Sequence, residues 1–188
     1  MSGLGTESDA DGAAAANETT AGRRIRPVQA ADAPAIIALI DRVYREYDDA
    51  VNLDGAEADL LDPILSYDVR GGAMVVLVQE DRADGSERVV GSHAILPTGS
   101  REGTFRRLYL DRSLRGTGAG DALMAWAIDA ATAKGWRRIA FWSDSRFARA
   151  HRFFGRYGFR RTGRERTMDD GLQPYAEIEF ERIDGAIG

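Results

Sequence analysis

The feature that most constrains the fold of this chain is a glycine-rich turn from Arg115 to Gly120. The turn reads RGTGAG and joins an apolar strand to an apolar helix. Glycines allow backbone conformations in which successive amides point the same way, and the start of a helix adds partial positive charge. Such a turn predicts a site for a phosphate group. Read alone, it is equally well explained as a tight connection that packs the helix on the strand.

Two other glycine-rich signatures are excluded by the residues around the turn. A Walker A loop ends in Gly-Lys followed by Ser or Thr, and no such sequence follows Gly120. The dinucleotide-binding fingerprint requires a third glycine where this chain has Asp121. The remaining elements must therefore decide what the turn binds.

The composition is typical of one globular domain, with 188 residues, 44% hydrophobic and 9% aromatic. The absence of cysteine excludes a thiol nucleophile, and the two histidines, His93 and His151, lack a metal-ligand spacing. No apolar run is long enough to span a membrane and no signal peptide is visible, so we expect a cytoplasmic protein.

The net charge of −5 is unevenly distributed along the chain. Residues 1–22 contribute −4 of it, because they contain four acidic and no basic side chains. Their small and polar residues predict a disordered acidic, alanine-rich tail. We expect one domain over residues 23–183 and a short tail over residues 184–188. Because the domain is close to neutral, bulk binding of nucleic acid is disfavoured.

Hydrophobic periodicity predicts the element order β-α-α-β-β-β-α-β-α-β-β, an α/β sandwich around a mixed sheet. Asp32 can cap the first helix, Pro63 interrupts a short helix pair, and Gly135 closes the long helix after the turn. The predicted strands cover residues 24–28, 73–79, 88–96, 104–110, 136–142, 159–161 and 175–180. The helices after the first are predicted over residues 58–65, 116–134 and 146–157.

The turn and a second motif together resemble the GNAT acetyltransferase superfamily. The acetyl-CoA loop of that family reads Arg/Gln-x-x-Gly-x-Gly/Ala after its fourth strand, as Arg115 to Gly120 does. The segment from Ala150 to Phe159 resembles the later motif of the family, which usually ends Tyr-x-x-x-Gly-Phe. Both motifs occur in the order of the family, within elements that match from about Arg24 to Arg182.

The resemblance implies a GNAT-type, mainly antiparallel sheet with helices on both faces. It also implies acetyl-CoA as cosubstrate, no metal, and an amine of a small molecule or an amino terminus as acceptor. The amine would attack the thioester directly, and the Leu110 amide would polarise the thioester carbonyl. The implied cofactor-binding residues are Leu108, Tyr109, Leu110, Arg115, Gly116, Thr117, Gly118, Ala119, Gly120, Asp121 and Phe154.

The later motif departs from the family at Phe154, where the family often has the tyrosine that protonates the departing thiolate. Since phenylalanine cannot donate a proton, we expect a slower or differently assisted reaction. Tyr157, Ser143 and His93 are the remaining catalytic candidates beside the Leu110 amide. Each also has an explanation without catalysis: Tyr157 as a packing residue, Ser143 as a neighbour of Asp144 or Ser145, which can cap the following helix, and His93 as a structural histidine.

Two alternatives to an acetyltransferase for a small molecule or an amino terminus stay open. One is a GNAT-fold module or regulator that binds acyl-CoA without turning it over, as the substitution at Phe154 suggests. The other is an RNA-associated acetyltransferase or regulator that uses the arginine run between Arg146 and Arg166. A solvated helix face, with one or two arginines near the CoA 3′-phosphate, explains the same run. A homodimer is the commonest expectation for oligomeric state.

Overall fold

The computed structural model describes residues 18–19, 22–81 and 83–184. Within them, eight strands form one sheet in the order β1-β2-β3-β4-β5-β6-β8-β7. The strands are β1 Glu18–Thr19, β2 Arg23–Pro27, β3 Ala73–Glu80, β4 Glu87–Gly99, β5 Glu102–Leu110, β6 Arg138–Asp144, β7 Arg160–Met168 and β8 Tyr175–Ile183. Only β5 and β6 are parallel neighbours, which confirms the mixed, mainly antiparallel sheet.

The two-residue strand β1 lies inside the segment that the sequence predicts to be a tail. Glu18 and Thr19 pair with Arg24 and Arg23 of β2. The rest of the predicted tails, residues 1–17, 20–21 and 185–188, lies outside the described residues.

In the part of the chain that the structure describes, three α-helices cover the sheet, α1 Ala33–Tyr44, α2 Ala119–Ala133 and α3 Ala148–Arg156. Short 3-10 turns occupy Ala30–Asp32, Arg45–Tyr47, Ala58–Leu60 and Arg112–Leu114, and a π-helical turn occupies Ile64–Asp68. The helix pair predicted around Pro63 is therefore a 3-10 turn and a π-helical turn. None of the helices in the described ranges is both long and apolar enough to cross a membrane.

The helices pack on both faces of the sheet because the strand residues alternate between the two faces. On β3, Val76 belongs to the core beneath α1, whereas Leu77 belongs to the core beneath α2. The stripe of α1 that includes Ile36 and Ile40 fills the first core. A third core beside α3 is largely aromatic and includes Phe141, Phe154, Phe159 and Phe180.

The parallel pair β5–β6 is short, and this positions the site. Only Glu102 with Arg138 and Gly103 with Ile139 are in register. A Cβ on Gly103 would lie 2.0 Å from the Trp136 ring, so this ring can pack on β5 only where the strand has glycine. Beyond this point the two strands diverge and leave a gap in the sheet.

Candidate active site

Strand β5 carries a β-bulge where it borders this gap. Arg107 has φ +56°, a left-handed conformation that residues other than glycine rarely adopt. Ser92 lies opposite Tyr109 and Ala94 opposite Arg106, so β5 holds one residue more than β4 between these pairs. The Ser92 hydroxyl donates to the Arg107 carbonyl at 2.7 Å and holds the bulge in place.

The backbone at the end of β5 offers a donor to the gap. The Asp111 amide donates to the Val90 carbonyl of β4 at 2.8 Å. Because successive amides of a strand point to opposite edges, the Leu110 amide faces the gap between β5 and β6. This amide can therefore donate to a ligand that lies between the strands.

A cavity of about 410 Å³ opens between the turn, the end of β5 and α3, and we call it the glycine-turn cavity. The residues of the predicted cofactor site that line it are Leu108, Tyr109, Leu110, Arg115, Gly116, Gly120, Asp121 and Phe154. The remaining three, Thr117, Gly118 and Ala119, do not line it. Helix α2 begins at Ala119 rather than at the predicted Gly116, because Gly116 and Gly118 both adopt φ +88°.

The lining of the glycine-turn cavity is positively charged. Arg115, Arg149, Arg152 and Arg156 all contribute to it. The Arg115 guanidinium pairs with Glu46 through contacts of 2.6 and 2.7 Å. Within the described ranges, Arg149 and Arg152 make no ion pair with a carboxylate. Two uncompensated cations beside a helix N-terminus suit a ligand that carries phosphate groups.

A second cavity, of about 120 Å³, opens on the other side of the gap, and we call it the Tyr175 cavity. The two cavities share Leu108, Tyr109, Phe147, Ala150 and Phe154. They therefore meet where β5 and β6 diverge. A ligand that enters from one side can present its reactive end to a nucleophile that enters from the other.

A buried polar network forms one wall of the Tyr175 cavity. The Arg107 guanidinium donates to Glu57 at 3.2 Å and to Asp59 at 3.0 Å. The Tyr44 hydroxyl donates to Glu57 at 3.1 Å and lies 3.0 Å from the Tyr109 hydroxyl. Burial would raise the pKa of Asp59, but the hydrogen bonds from Arg107 outweigh it and the pKa is lowered. Burial raises the pKa of Tyr44 and of Tyr109, so both phenols stay protonated at neutral pH.

An ionic cluster around Arg146 forms the opposite wall. Its guanidinium contacts Asp49 at 2.7 Å and Asp144 at 2.6 Å, and lies 5.1 Å from the centre of the Tyr175 ring. The Leu172 amide donates to Asp49 at 2.9 Å and joins the loop before β8 to the same cluster. This wall is fixed by charge rather than by apolar packing.

A sequence profile described as "Acetyltransferase (GNAT) family" matches residues 40–159, more than half of the chain. This chain belongs to the GNAT acetyltransferase family. A comparison with curated proteins finds no significant match to this GNAT protein.

Solved structures of low sequence identity share the GNAT fold. An acetyltransferase from Streptococcus agalactiae 2603 superposes with a TM-score of 0.73 at 17% identity, covering 86% of this chain and 98% of that one. A GNAT acetyltransferase from Staphylococcus aureus Mu50 gives 0.71 at 15% identity, with 86% and 98% covered. A putative acetyltransferase from Salmonella typhimurium, solved with its cofactor acetyl-CoA, gives 0.64 at 18% identity, with 89% and 97% covered.

Phe154 lies at the junction of the two cavities of this GNAT domain. Its ring packs edge-on against Phe141 at 4.9 Å and against Phe180 at 5.5 Å between ring centres. Phe147 also lines both cavities and packs on Tyr47 at 4.7 Å between ring centres. The junction is therefore aromatic, and at Phe154 it lacks the hydroxyl that the resemblance implies.

Tyr157 and Ser143 lie on different sides of the GNAT site. The Tyr157 hydroxyl donates to Asp121 at 2.6 Å, and burial together with this bond raises the pKa of Tyr157 to about 12. Tyr157 itself lines neither cavity. Ser143 lines the Tyr175 cavity, with its hydroxyl 3.3 Å from Nε2 of His151. Their catalytic roles remain predictions, and of the two residues only Ser143 lines a cavity.

His151 is held neutral by its neighbours. Nε2 donates to the Asp144 carbonyl at 2.9 Å, and the Arg161 guanidinium donates to Nδ1 at 3.3 Å. Burial lowers the pKa of His151, and the charge of Arg161 lowers it further. His151 therefore supports the end of β6 as a neutral hydrogen-bonding group.

His93 is fully buried and lines the inner end of the Tyr175 cavity. Because a carbonyl can only accept, Nδ1 donates to the Leu123 carbonyl at 3.1 Å, which leaves a lone pair on Nε2. Nε2 has no hydrogen-bond partner among the described residues. Burial lowers the pKa of His93 to about 4. A base role for His93, which stays a prediction, would require a bound ligand or water to reach Nε2.

The His93 pKa predicts how stability depends on pH. An unfolded histidine has a pKa of about 6.5, so between pH 6.5 and 4 the unfolded chain binds more protons than the folded one. The contribution of His93 to the free energy of unfolding is fully present above pH 6.5 and falls by about 3 kcal/mol by pH 4. Urea denaturation of the wild type and of His93→Leu across this range measures it. Parallel pH profiles of the two proteins would contradict the assignment.

Four of the eight arginines between Arg146 and Arg166 are paired with acids of this domain. Arg146, Arg156, Arg164 and Arg166 form ion pairs with Asp144, Asp121, Glu179 and Glu177. Arg164 and Arg166 also lie over the Trp142 ring, at 5.4 and 4.5 Å from its centre. Six of the eight arginines are thus in ion pairs or line the glycine-turn cavity, which weakens the RNA hypothesis.

Several residues of the site were missed by the sequence reasoning. Glu57 and Asp59 lie about 50 positions before Arg107, and no local pattern predicts that they pair with it. The sequence also does not predict the left-handed backbone of Arg107, because the usual sequence signal for such a conformation is glycine. The one available hint was the paired arginines at 106 and 107 inside an otherwise apolar strand.

Proposed function

We propose that this GNAT protein transfers the acetyl group of acetyl-CoA to the amine of a small molecule or an amino terminus. The observation that carries the proposal is the meeting of two cavities at Leu108 and Phe154. One of them is lined by arginines and the glycine turn, and the other by tyrosines and paired carboxylates. Two substrates that approach from opposite sides can react there without a covalent enzyme intermediate.

The glycine-turn cavity is proposed to hold the cofactor. The pyrophosphate would bind the amides of the turn and the start of α2, with Arg149 and Arg152 nearby. Pantetheine would lie along the edge of β5 that faces the gap, adding strand-like pairing. The Leu110 amide would then donate to the thioester oxygen, on which negative charge develops as the amine attacks. The phosphates and the thioester would thus be bound mainly by backbone groups.

Protons must leave the amine and reach the thiolate during the transfer. Phe154 has no proton to give, and the Tyr157 hydroxyl is already bonded to Asp121. The phenols of Tyr44 and Tyr109 stay protonated at neutral pH, so they act as donors rather than as bases. Because CoA thiolate is a tolerable leaving group, water can supply its proton, and water likewise accepts the proton that the amine loses.

The test of the function is the release of free CoA thiol from acetyl-CoA in the presence of a panel of amines. Mass spectrometry of the amine identifies the acetylated product. We expect thiol release that depends on at least one amine, with product formed in equal amount. Tight binding of acetyl-CoA without release for any amine would instead support the binding-module alternative.

Replacing Phe154 with tyrosine is expected to raise the turnover of the preferred amine by about tenfold or more, since a positioned general acid contributes at least that much. The added hydroxyl would lie at the junction of the two cavities, where the ring already sits. Steady-state thiol release measures kcat for both proteins. Phe153→Tyr, on the adjacent ring, which lines only the glycine-turn cavity, is the matched control. An unchanged kcat in Phe154→Tyr would rule out an acid deficit at this position.

A further inference from the structure

We propose that the acceptor amine also carries a carboxylate, and that Arg106 binds this carboxylate in the Tyr175 cavity. The inference rests on the proposed function, because it assigns the acceptor to that cavity. It narrows the acceptor to a small amino acid, in which the amine and the carboxylate lie close together. An amine without an acidic group, and the amino terminus of a long peptide, would both be poorer acceptors.

The first observation is the bulge in β5. In a regular strand, neighbouring side chains point to opposite faces of the sheet. The left-handed conformation of Arg107 breaks that alternation, and Arg106 and Arg107 both line the Tyr175 cavity. Such a conformation in a residue with a side chain costs free energy and is often found at functional sites. Two consecutive cations thus lie in the stretch of β5, Phe105 to Tyr109, that borders this cavity.

The second observation is that the two cations are used differently. Arg107 is buried and bonded to Glu57 and Asp59, so its charge is compensated within the protein. Arg106 is exposed and, in the described part of the chain, makes no ion pair or side-chain hydrogen bond. The charge of Arg106 also helps to lower the pKa of Asp59. Arg106 therefore lies near the buried polar network, although it makes no bond to that network. Arg106 is therefore available to an anion that enters the cavity.

The third observation concerns the other charges of the Tyr175 cavity. Arg146 forms ion pairs with Asp49 and Asp144, and Glu177 forms one with Arg166, so each of these groups already has a partner of opposite charge. Asp170 is different, because its carboxylate accepts a hydrogen bond from the neutral Tyr175 hydroxyl at 2.9 Å and is in no ion pair within the described ranges. Among the charged residues that line the cavity, Arg106 and Asp170 are thus one cation and one carboxylate without an ion-pair partner in the described part of the chain. That pattern is complementary to a zwitterion.

The chemistry of arginine fits the proposed ligand. A guanidinium presents parallel N–H groups that match the two oxygens of a carboxylate. Asp170 would favour entry of the ammonium form, and the amine would lose its proton before it attacks the thioester. With a volume of about 120 Å³, the cavity suits a small acceptor.

The test compares amino acids with their carboxamides as acceptors, since the two differ only in the charge of the carboxyl group. For the wild type we expect kcat/KM to favour the acid by about tenfold to a hundredfold, as for a hydrogen bond to a charged group. Arg106→Gln should remove this preference, mainly through a higher KM for the acid. Arg106→Lys should restore part of it.

Arg101→Gln is the matched control, because Arg101 is another exposed arginine of the same hairpin and lines neither cavity. This variant should keep the full preference for the acid. Equal use of acids and carboxamides by the wild type would overturn the proposal, and so would a preference that survives in Arg106→Gln.

Failure of this proposal can be told apart from failure of the proposed function. Thiol release only with amines that lack a carboxylate would support the proposed acetyl transfer and would contradict the proposed role of Arg106. If no amine supports thiol release, isothermal titration of the CoA-loaded protein can compare the affinities for amino acids and for their carboxamides. Tighter binding of the acid in the wild type, lost in Arg106→Gln, would support the site, and equal binding would overturn it.

Discussion

Replacing Gly120 with glutamate is expected to weaken acetyl-CoA binding by about a hundredfold or more, because like charges brought together in a binding site cost several kcal/mol. Gly120 lies in the first turn of α2 and lines the glycine-turn cavity. A Cβ there would lie 3.6 Å from the Phe153 ring, an ordinary contact, so the backbone can accept a side chain. An acidic residue in the first turn also favours the helix, so the domain should still fold. Isothermal titration with acetyl-CoA measures the loss.

Gly155→Glu provides the matched control for this variant. Gly155 is also a helical glycine, but it lies on the exposed side of α3 and lines neither cavity. Its substitution should leave the affinity for acetyl-CoA unchanged. If Gly120→Glu folds and binds acetyl-CoA as tightly as the wild type does, the cofactor does not occupy the glycine-turn cavity.

Replacing Arg107 with alanine is expected to lower the free energy of unfolding by about 3–5 kcal/mol, the usual cost of leaving a buried charge unpaired. The Arg107 and Glu57 side chains are each only 6% exposed. Without the guanidinium, Glu57 and Asp59 would face each other as uncompensated carboxylates. Since small domains have only about 5–15 kcal/mol of stability in total, the variant should be markedly sensitive to urea.

An exposed ion pair supplies the control for this experiment. Arg45 pairs with Asp41 on the surface of α1, with the Arg45 side chain 70% exposed. Arg45→Ala should change the free energy of unfolding by less than about 1 kcal/mol. Combining Arg107→Met with Glu57→Gln and Asp59→Asn should recover part of the loss, because no unpaired charge remains. A loss in Arg107→Ala no greater than in Arg45→Ala would contradict the account of the network.

The sequence predicts an element of this fold correctly where a local signal within a few residues specifies that element. The periodicity of α1, the turn before α2 and Gly135 after it are encoded within a few residues, and each element formed where it was expected. The sequence predicts a start of α2 at Gly116, three residues too early. Gly116 and Gly118 adopt φ +88°, which a helix cannot contain. The boundary depended on backbone angles that hydrophobic periodicity does not report.

For the candidate site, the sequence predicts only the residues on the cofactor side. The glycine turn and the later motif both lie in short segments, so eight residues that line the glycine-turn cavity could be proposed from the resemblance that these motifs carry. The Tyr175 cavity is assembled from α1, the loop after it, the bulge in β5 and the loop before β8. Its pairings join positions far apart in the chain, such as Asp49 with Arg146 and Glu57 with Arg107. No pattern along a single sequence predicts such pairings.

The most direct test of the central claim is an isothermal titration of the wild-type protein with acetyl-CoA, with acetyl phosphate as a control that lacks the pantetheine and nucleotide. We predict saturable binding of acetyl-CoA at one site per chain, and weak or no binding of acetyl phosphate. Binding should weaken with rising salt, because arginines line the cavity. Absence of saturable binding at low salt would contradict the assignment of the glycine-turn cavity and, with it, the proposed acetyl transfer.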